Sequence, residues 1–92
     1  MYYSTKIKMM PGCGNSNNAQ EIDQIYVSGN GWNDFYPKGQ LHDYLKRAPG
    51  TICVDIYPYP ELLPATSSRG EKYVRSESND SPYDNLLRLP RV

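Results

Sequence analysis

The sequence predicts an α+β domain: a small antiparallel sheet of about four strands with one helix packed on a face, in the order ββαββ. Three observations predict it. Tyr2 to Met9 alternates with period two, the mark of a half-buried strand. Leu41, Tyr44, Leu45 and Ala48 recur at helical spacing behind Pro37 and make one apolar stripe. Two further strand signals, Thr51–Tyr57 and Lys72–Ser76, follow that helix.

Each element has a local cause. In the first strand, Tyr3, Thr5, Ile7 and Met9 are expected on one face, with Ser4, Lys6 and Lys8 on the other. Pro11-Gly12-Cys13-Gly14 stops it, and Asn15 to Gln20 reads as a polar loop. Ile22 to Ser28 reads as the second strand, antiparallel to the first. Ile22, Gln24 and Tyr26 are expected on one face, with Asp23, Ile25 and Val27 on the other. Gly29-Asn30-Gly31 ends it with residues that tolerate positive φ.

Proline suits the first helical position because its missing donor would be unpaired there anyway, so Pro37 opens the helix. Lys46 and Arg47 complement the dipole at the far end, and Pro49-Gly50 terminates it. His42 lies off the apolar stripe and is expected to face solvent, as is Lys38. Thr51 to Tyr57 is nearly continuous and apolar, so it is expected at the centre of the sheet. Three prolines in Pro58–Pro64 predict an extended loop outside any ladder. Ala65 to Gly70 reads as a turn region, Lys72 to Ser76 as the last strand, and Glu77 to Pro82 as a polar turn. Asp84 is placed to cap a short helical turn through Leu89.

Ninety-two residues are expected to make one domain, residues 1–92, with a small core. Ten basic residues balance ten acidic ones, which removes the broad attraction that non-specific nucleic-acid binding needs. There is no apolar window long enough to span a bilayer and no apolar signal core after Met1. The expected location is cytoplasmic, with Cys13 and Cys53 reduced. Nine tyrosines against one phenylalanine suit a thin domain whose side chains are half exposed.

Gly70-Glu71-Lys72-Tyr73-Val74-Arg75-Ser76, a polar turn, then Asn85-Leu86 and Leu89-Pro90 resembles the ending of a small uncharacterised bacterial family, domain-of-unknown-function family 3892. Asp80 stands where the turn aspartate of that pattern would. The glycine- and asparagine-rich loop 12–18 and the proline-rich segment 57–64 depart from it. The resemblance implies a small α+β domain and supplies no catalytic residues.

Cys13, Cys53 and His42 are the soft ligands and nucleophile candidates, and no two are closely spaced. A structural zinc site wants four ligands in paired spacing, so neither a metal nor a cofactor is expected. Cys53 reads as a small core residue and Cys13 as an exposed thiol. The carboxylates are scattered, and no phosphate-cradling loop precedes the helix.

The sequence therefore points to a non-enzymatic module that binds a protein partner or itself, of the kind used as a bacterial or phage accessory or inhibitor protein. Trp32, Phe35, Tyr36, Tyr57 and Tyr59 are its expected contact residues, since Trp and Tyr dominate binding hot spots. Folding back as a lid over a thin core is the competing role for Trp32 and Phe35. The alternative function is a small-ligand or nucleotide binder using Lys72, Tyr73 and Arg75. Arg75 also has a structural reading, a clamp on the C-terminal knot through carbonyls or Asp84.

Overall fold

The structure, a computed structural model, describes residues 1–77 and 84–92. The expected turn aspartate Asp80 and most of the polar turn at 77–82 lie outside the described residues. The fold is α+β. Strand β1 (Tyr2–Met9) is followed by a 3-10 turn (Ala19–Glu21), β2 (Ile22–Gly29), β3 (Trp32–Pro37), helix α1 (Lys38–Arg47), β4 (Ile52–Val54), β5 (Leu62–Thr66), β6 (Lys72–Ser76) and a second 3-10 turn (Asn85–Arg88). A mixed four-stranded sheet has the order β3-β2-β1-β4, and β5 and β6 form a separate two-stranded ribbon.

Strands β1 and β2 are antiparallel neighbours, as their alternation predicts, but two register shifts change which residues share a face. Ser4 pairs with Val27 and Lys6 with Tyr26, so Thr5 is an extra residue. A one-residue insertion swaps faces for everything beyond it. Ser4 is therefore fully buried beside Ile7, while Tyr3 is exposed on the side of Lys6 and Lys8. The second shift omits Asp23 and turns Ile22 inward with Ile25 and Val27.

The segment expected as a loop before the helix is a strand. Strand β3 pairs with β2 from Gly29–Trp32 to Gln24–Pro37. The turn between them is Asn30-Gly31, and Gly31 has φ +94°, a conformation that glycine adopts without steric cost. Gly29 is needed on two counts. Its φ is +143°, and an added Cβ would stand 2.9 Å from Tyr2 Cδ1.

Strand β4 is shorter than the sequence suggests and stands beside β1 rather than at the centre of the sheet. It runs parallel to β1, which makes the sheet mixed, because the helical crossover returns the chain in the same direction. All three of its residues are buried, which accounts for the apolar signal. Its far side is covered: the Val54 amide donates to Pro60 O at 2.8 Å, and Cys53 bridges Glu61. The proline-rich stretch does contribute a strand. Pro64 sits in β5 opposite Val74, in a ribbon where one edge of each strand needs no donor.

Helix α1 begins one residue later than expected, with Pro37 as its cap, and packs Leu41 and Leu45 into the core. His42 is also buried, 4% exposed, contrary to the solvent-facing position expected of it. So is Lys38, which reaches across to β6's flank: its Nζ donates to Gln20 O at 2.6 Å and to Glu71 Oε1 at 2.5 Å. The helix lies against both strands of the β5–β6 ribbon as well as the main sheet, so a side chain off the narrow stripe is still covered.

The core is one cluster among the described residues. It joins Ile7, Ile25 and Val27 of the sheet, Leu41 and Leu45 of the helix, Leu62 and Val74 of the ribbon, and Leu86, Leu87 and Leu89 of the C-terminus. That last group is closed by a polar clamp. The Asp84 carboxylate accepts from the Ser76 amide at 3.0 Å and from the Leu86 amide at 2.9 Å. Ser76 Oγ accepts from the Asn85 amide at 3.1 Å and from Asn85 Nδ2 at 3.0 Å. The chain end then joins the sheet: Ile7 donates to Pro90 O and Val92 donates to Ile7 O.

Deleting residues 84–92 is therefore expected to leave an unfolded or molten chain by near-ultraviolet circular dichroism and denaturant titration. Leu86→Ala should cost about 2–5 kcal/mol, the range for emptying a buried leucine site. A truncated chain with an unchanged melting curve would contradict this.

Candidate functional site

The inner face of the four-stranded sheet is buried under the helix, the ribbon and the C-terminal turn. Its other face is open, and the alternation of β1 to β3 decides what stands on it. Tyr26 of β2 pairs in register with Phe35 of β3 and with Lys6 of β1. The two rings meet edge to face at 5.2 Å. Lys6 Nζ lies 4.6 Å from the Tyr26 ring centroid and 5.9 Å from that of Phe35, and Lys8 Nζ lies 6.0 Å from Phe35. These are cation–π distances, so the two ammonium groups sit over an aromatic floor.

The same face continues toward β4. Tyr3, brought to this side by the extra residue Thr5, meets Tyr59 at 6.1 Å, and Tyr59 meets Tyr57 at 6.1 Å, both edge to face. Tyr57 is 81% exposed and Tyr59 49%. Tyr59 has φ +62°, the left-handed region that costs a residue with a Cβ of order 1–3 kcal/mol. The turn carrying it is tied by the Tyr59 amide donating to Ile56 O at 2.7 Å, and the Tyr57–Pro58 peptide is cis. Cys53 is buried on this side, out of the main core cluster, with Sγ 3.4 Å from Met1 Sδ. Burial, then the nearby Glu61 and Glu77 carboxylates, push its thiol pKa up.

The five expected contact residues are thus divided between two faces. Phe35 stands on the open face, and Tyr57 and Tyr59 stand at its edge. Trp32 and Tyr36 point the other way: Trp32 lies 4.9 Å from Tyr2, 5.0 Å from Tyr36 and 4.9 Å from Tyr44 of the helix, as a half-buried lid on the core. Lys6, Lys8, Tyr26 and Tyr3 were not among the expected residues. The Asn30-Gly31 turn, a strong hairpin signal, would have placed Phe35 opposite Tyr26.

Lys72, Tyr73 and Arg75 belong to β6. Lys72 Nζ is bound to Asp43 Oδ1 at 2.9 Å, and Tyr73 is half-buried. Arg75 is exposed and makes no hydrogen bond or ion pair among the described residues, so it is not the expected clamp. Asp84 fills that role through backbone amides.

The nucleophile candidates do not meet one another. Cys13 Sγ donates to Glu21 Oε2 at 3.2 Å, and Ser16 Oγ donates to Glu21 Oε1. That hydrogen bond, then burial and the Glu21 charge, push the Cys13 thiol up and keep it protonated. Cys13 is half-buried rather than exposed. His42 Nδ1 faces Asp43 Oδ1 at 3.1 Å, and its Nε2 has no partner among the described residues. Among those residues no group of three or more His, Cys, Asp and Glu side chains is arranged to hold a metal ion. No described helix is long and apolar enough to cross a membrane.

Two carboxylates are held below their usual range: Glu21 by hydrogen bonds from Ser16 and Cys13, and Asp43 by hydrogen bonds from Lys72 and His42. A carboxylate depressed in the folded state stabilises the fold above its unfolded pKa and loses that contribution as pH falls through the folded value. The ordinary values are 4.5 for Glu21 and 3.8 for Asp43, so the loss begins below about pH 4.5. Melting curves from pH 7 to pH 2.5 should show a steeper acid decline for the wild type than for the double variant Glu21→Gln, Asp43→Asn. Parallel declines would contradict this assignment.

A search of curated proteins and a search of solved structures each return no match to the chain. The profile of one family of proteins of unknown function matches residues 5–90, nearly the whole sequence. That span includes the Ser76–Asp84–Asn85 clamp and the buried leucines after it. The chain belongs to domain-of-unknown-function family 3892.

Proposed function

We propose that the protein is a non-enzymatic interaction module that binds a protein partner through the open face of its four-stranded sheet. The observation that carries this reading is the exposed run Tyr3–Tyr59–Tyr57, in which Tyr59 is held outward at positive φ. Tyrosine in such a position offers a rigid, amphipathic contact with few torsions to immobilise, which keeps the entropy cost of binding low. A bacterial or phage accessory protein that occupies another protein's surface, working in the cytoplasm, fits this chemistry.

A catalytic role finds little support in the side chains. Nucleophilic catalysis needs an activated group beside a base. Cys13 is held as a protonated thiol by a carboxylate neighbour, and Cys53 is buried. The small-ligand reading, through Lys72, Tyr73 and Arg75, is weakened by the engagement of Lys72 with Asp43.

The test is the double variant Tyr57→Ala, Tyr59→Gly. Glycine at position 59 relieves the positive φ, so the fold should persist. Capture of a host partner by the immobilised chain should fall at least tenfold in quantitative pull-down. Trp32→Ala should instead lower the melting temperature. Unchanged capture by the tyrosine variant, with loss in a folded Lys72→Ala, Arg75→Ala variant, would overturn the reading in favour of the β6 residues.

A further inference from the structure

We infer that the partner presents an acidic segment, and that Lys6 and Lys8 are the residues that select it. This inference rests on the reading of the open sheet face as a contact surface and names the chemistry of its occupant.

Among the described residues, Lys38 is paired with Glu71 and Lys72 with Asp43, while Lys46 stands alone and exposed on the helix. Lys6 and Lys8, side by side on the open face, have no carboxylate within salt-bridge distance. In a chain of zero net charge, leaving two adjacent lysines unpaired makes a local positive spot. Their contacts are instead with the Tyr26 and Phe35 rings. Those contacts limit the ammonium groups to the neighbourhood of the rings while leaving their N–H donors to the outside. A carboxylate arriving there meets charges already ordered, so less rotamer entropy is lost on binding. The exposed rings of Tyr3 and Tyr59, on the same face toward β4, supply apolar and aromatic contact for the rest of the segment.

The charge pattern also decides between occupants. A second copy of this chain docking with its two-fold axis through Lys6 and Lys8 would bring these lysines against their own images. Like charges so placed oppose association. Single-stranded nucleic acid would need the rings free for stacking, yet the lysines lie over them, and two cations neutralise few phosphates. An acidic protein segment uses both features.

The probe is a fluorescently labelled random copolymer of glutamate and tyrosine, titrated with the full chain and read by anisotropy. A lysine–tyrosine copolymer and oligothymidylate are the comparisons. The glutamate–tyrosine copolymer should bind, weaken as salt rises from 50 to 300 mM and the Debye length falls from about 14 to about 6 Å, and lose at least tenfold in affinity to K6E/K8E. The lysine–tyrosine copolymer should not bind. Where K6E/K8E does not fold, by circular dichroism, K6Q/K8Q takes its place with a smaller expected loss. Equal binding by a folded charge variant, no binding of the acidic copolymer, or tighter binding of oligothymidylate would overturn the inference. If the acidic copolymer fails while the Tyr57/Tyr59 variant still loses its host partner, the contact surface stands and only the acidic partner falls.

Discussion

The Asp84 carboxylate holds two parts of the chain together: the amide of Ser76, at the end of β6, and the amide of Leu86, in the first turn after it. Everything downstream depends on where that contact fixes the chain. It aims Leu86, Leu87 and Leu89 into the space between sheet and ribbon, then delivers Pro90 to the amide of Ile7. A short chain has few apolar side chains to spare, so three leucines brought in from the C-terminus are a large share of the core. The polar partners matter for the same reason. Ser76 and Asn85 are both buried, and each would carry a desolvation cost if the other were absent.

Closing the core on one side of the sheet leaves the other side open. The helix, the ribbon and the C-terminal turn all gather on the inner face. The outer face of β1 to β3 must then be tolerable in water, and it carries tyrosine, lysine, glutamine, serine and asparagine around a single phenylalanine. That composition keeps an exposed sheet from aggregating while leaving aromatic area for a partner. The two lysines fit both purposes. They shield the rings, and they set the sign of what can land on them.

Much of this was legible in the residues. Period two in Tyr2–Met9 and the stripe of Leu41 and Leu45 placed the sheet and the helix, and Asp84 followed by three leucines marked the closing turn. What alternation cannot show is an extra residue within it. Thr5 and Asp23 each break the register, so Tyr3 faces outward and Ile22 inward, against the simple pattern. Strand β3 was hidden because Asn33 and Asp34 break its hydrophobic rhythm, although Asn30-Gly31 announced the turn. The burial of Lys38 and His42 was not legible, since it comes from the β5–β6 ribbon crossing the helix. That ribbon was itself obscured by Pro64, which a two-stranded edge tolerates. The open face was only partly readable, because it joins residues far apart in the chain: Lys6, Tyr26, Phe35 and Tyr59.

The most direct test of the central claim is native-state hydrogen exchange at single amides. If the C-terminal clamp closes the fold, the amides of Ser76, Leu86 and Ile7 open only when the whole domain unfolds. Their exchange free energies should equal the global stability from denaturant titration. Exchange of these three at markedly lower free energy, with the β1 and β2 amides still fully protected, would show that the clamp opens by itself and that the domain stands without it.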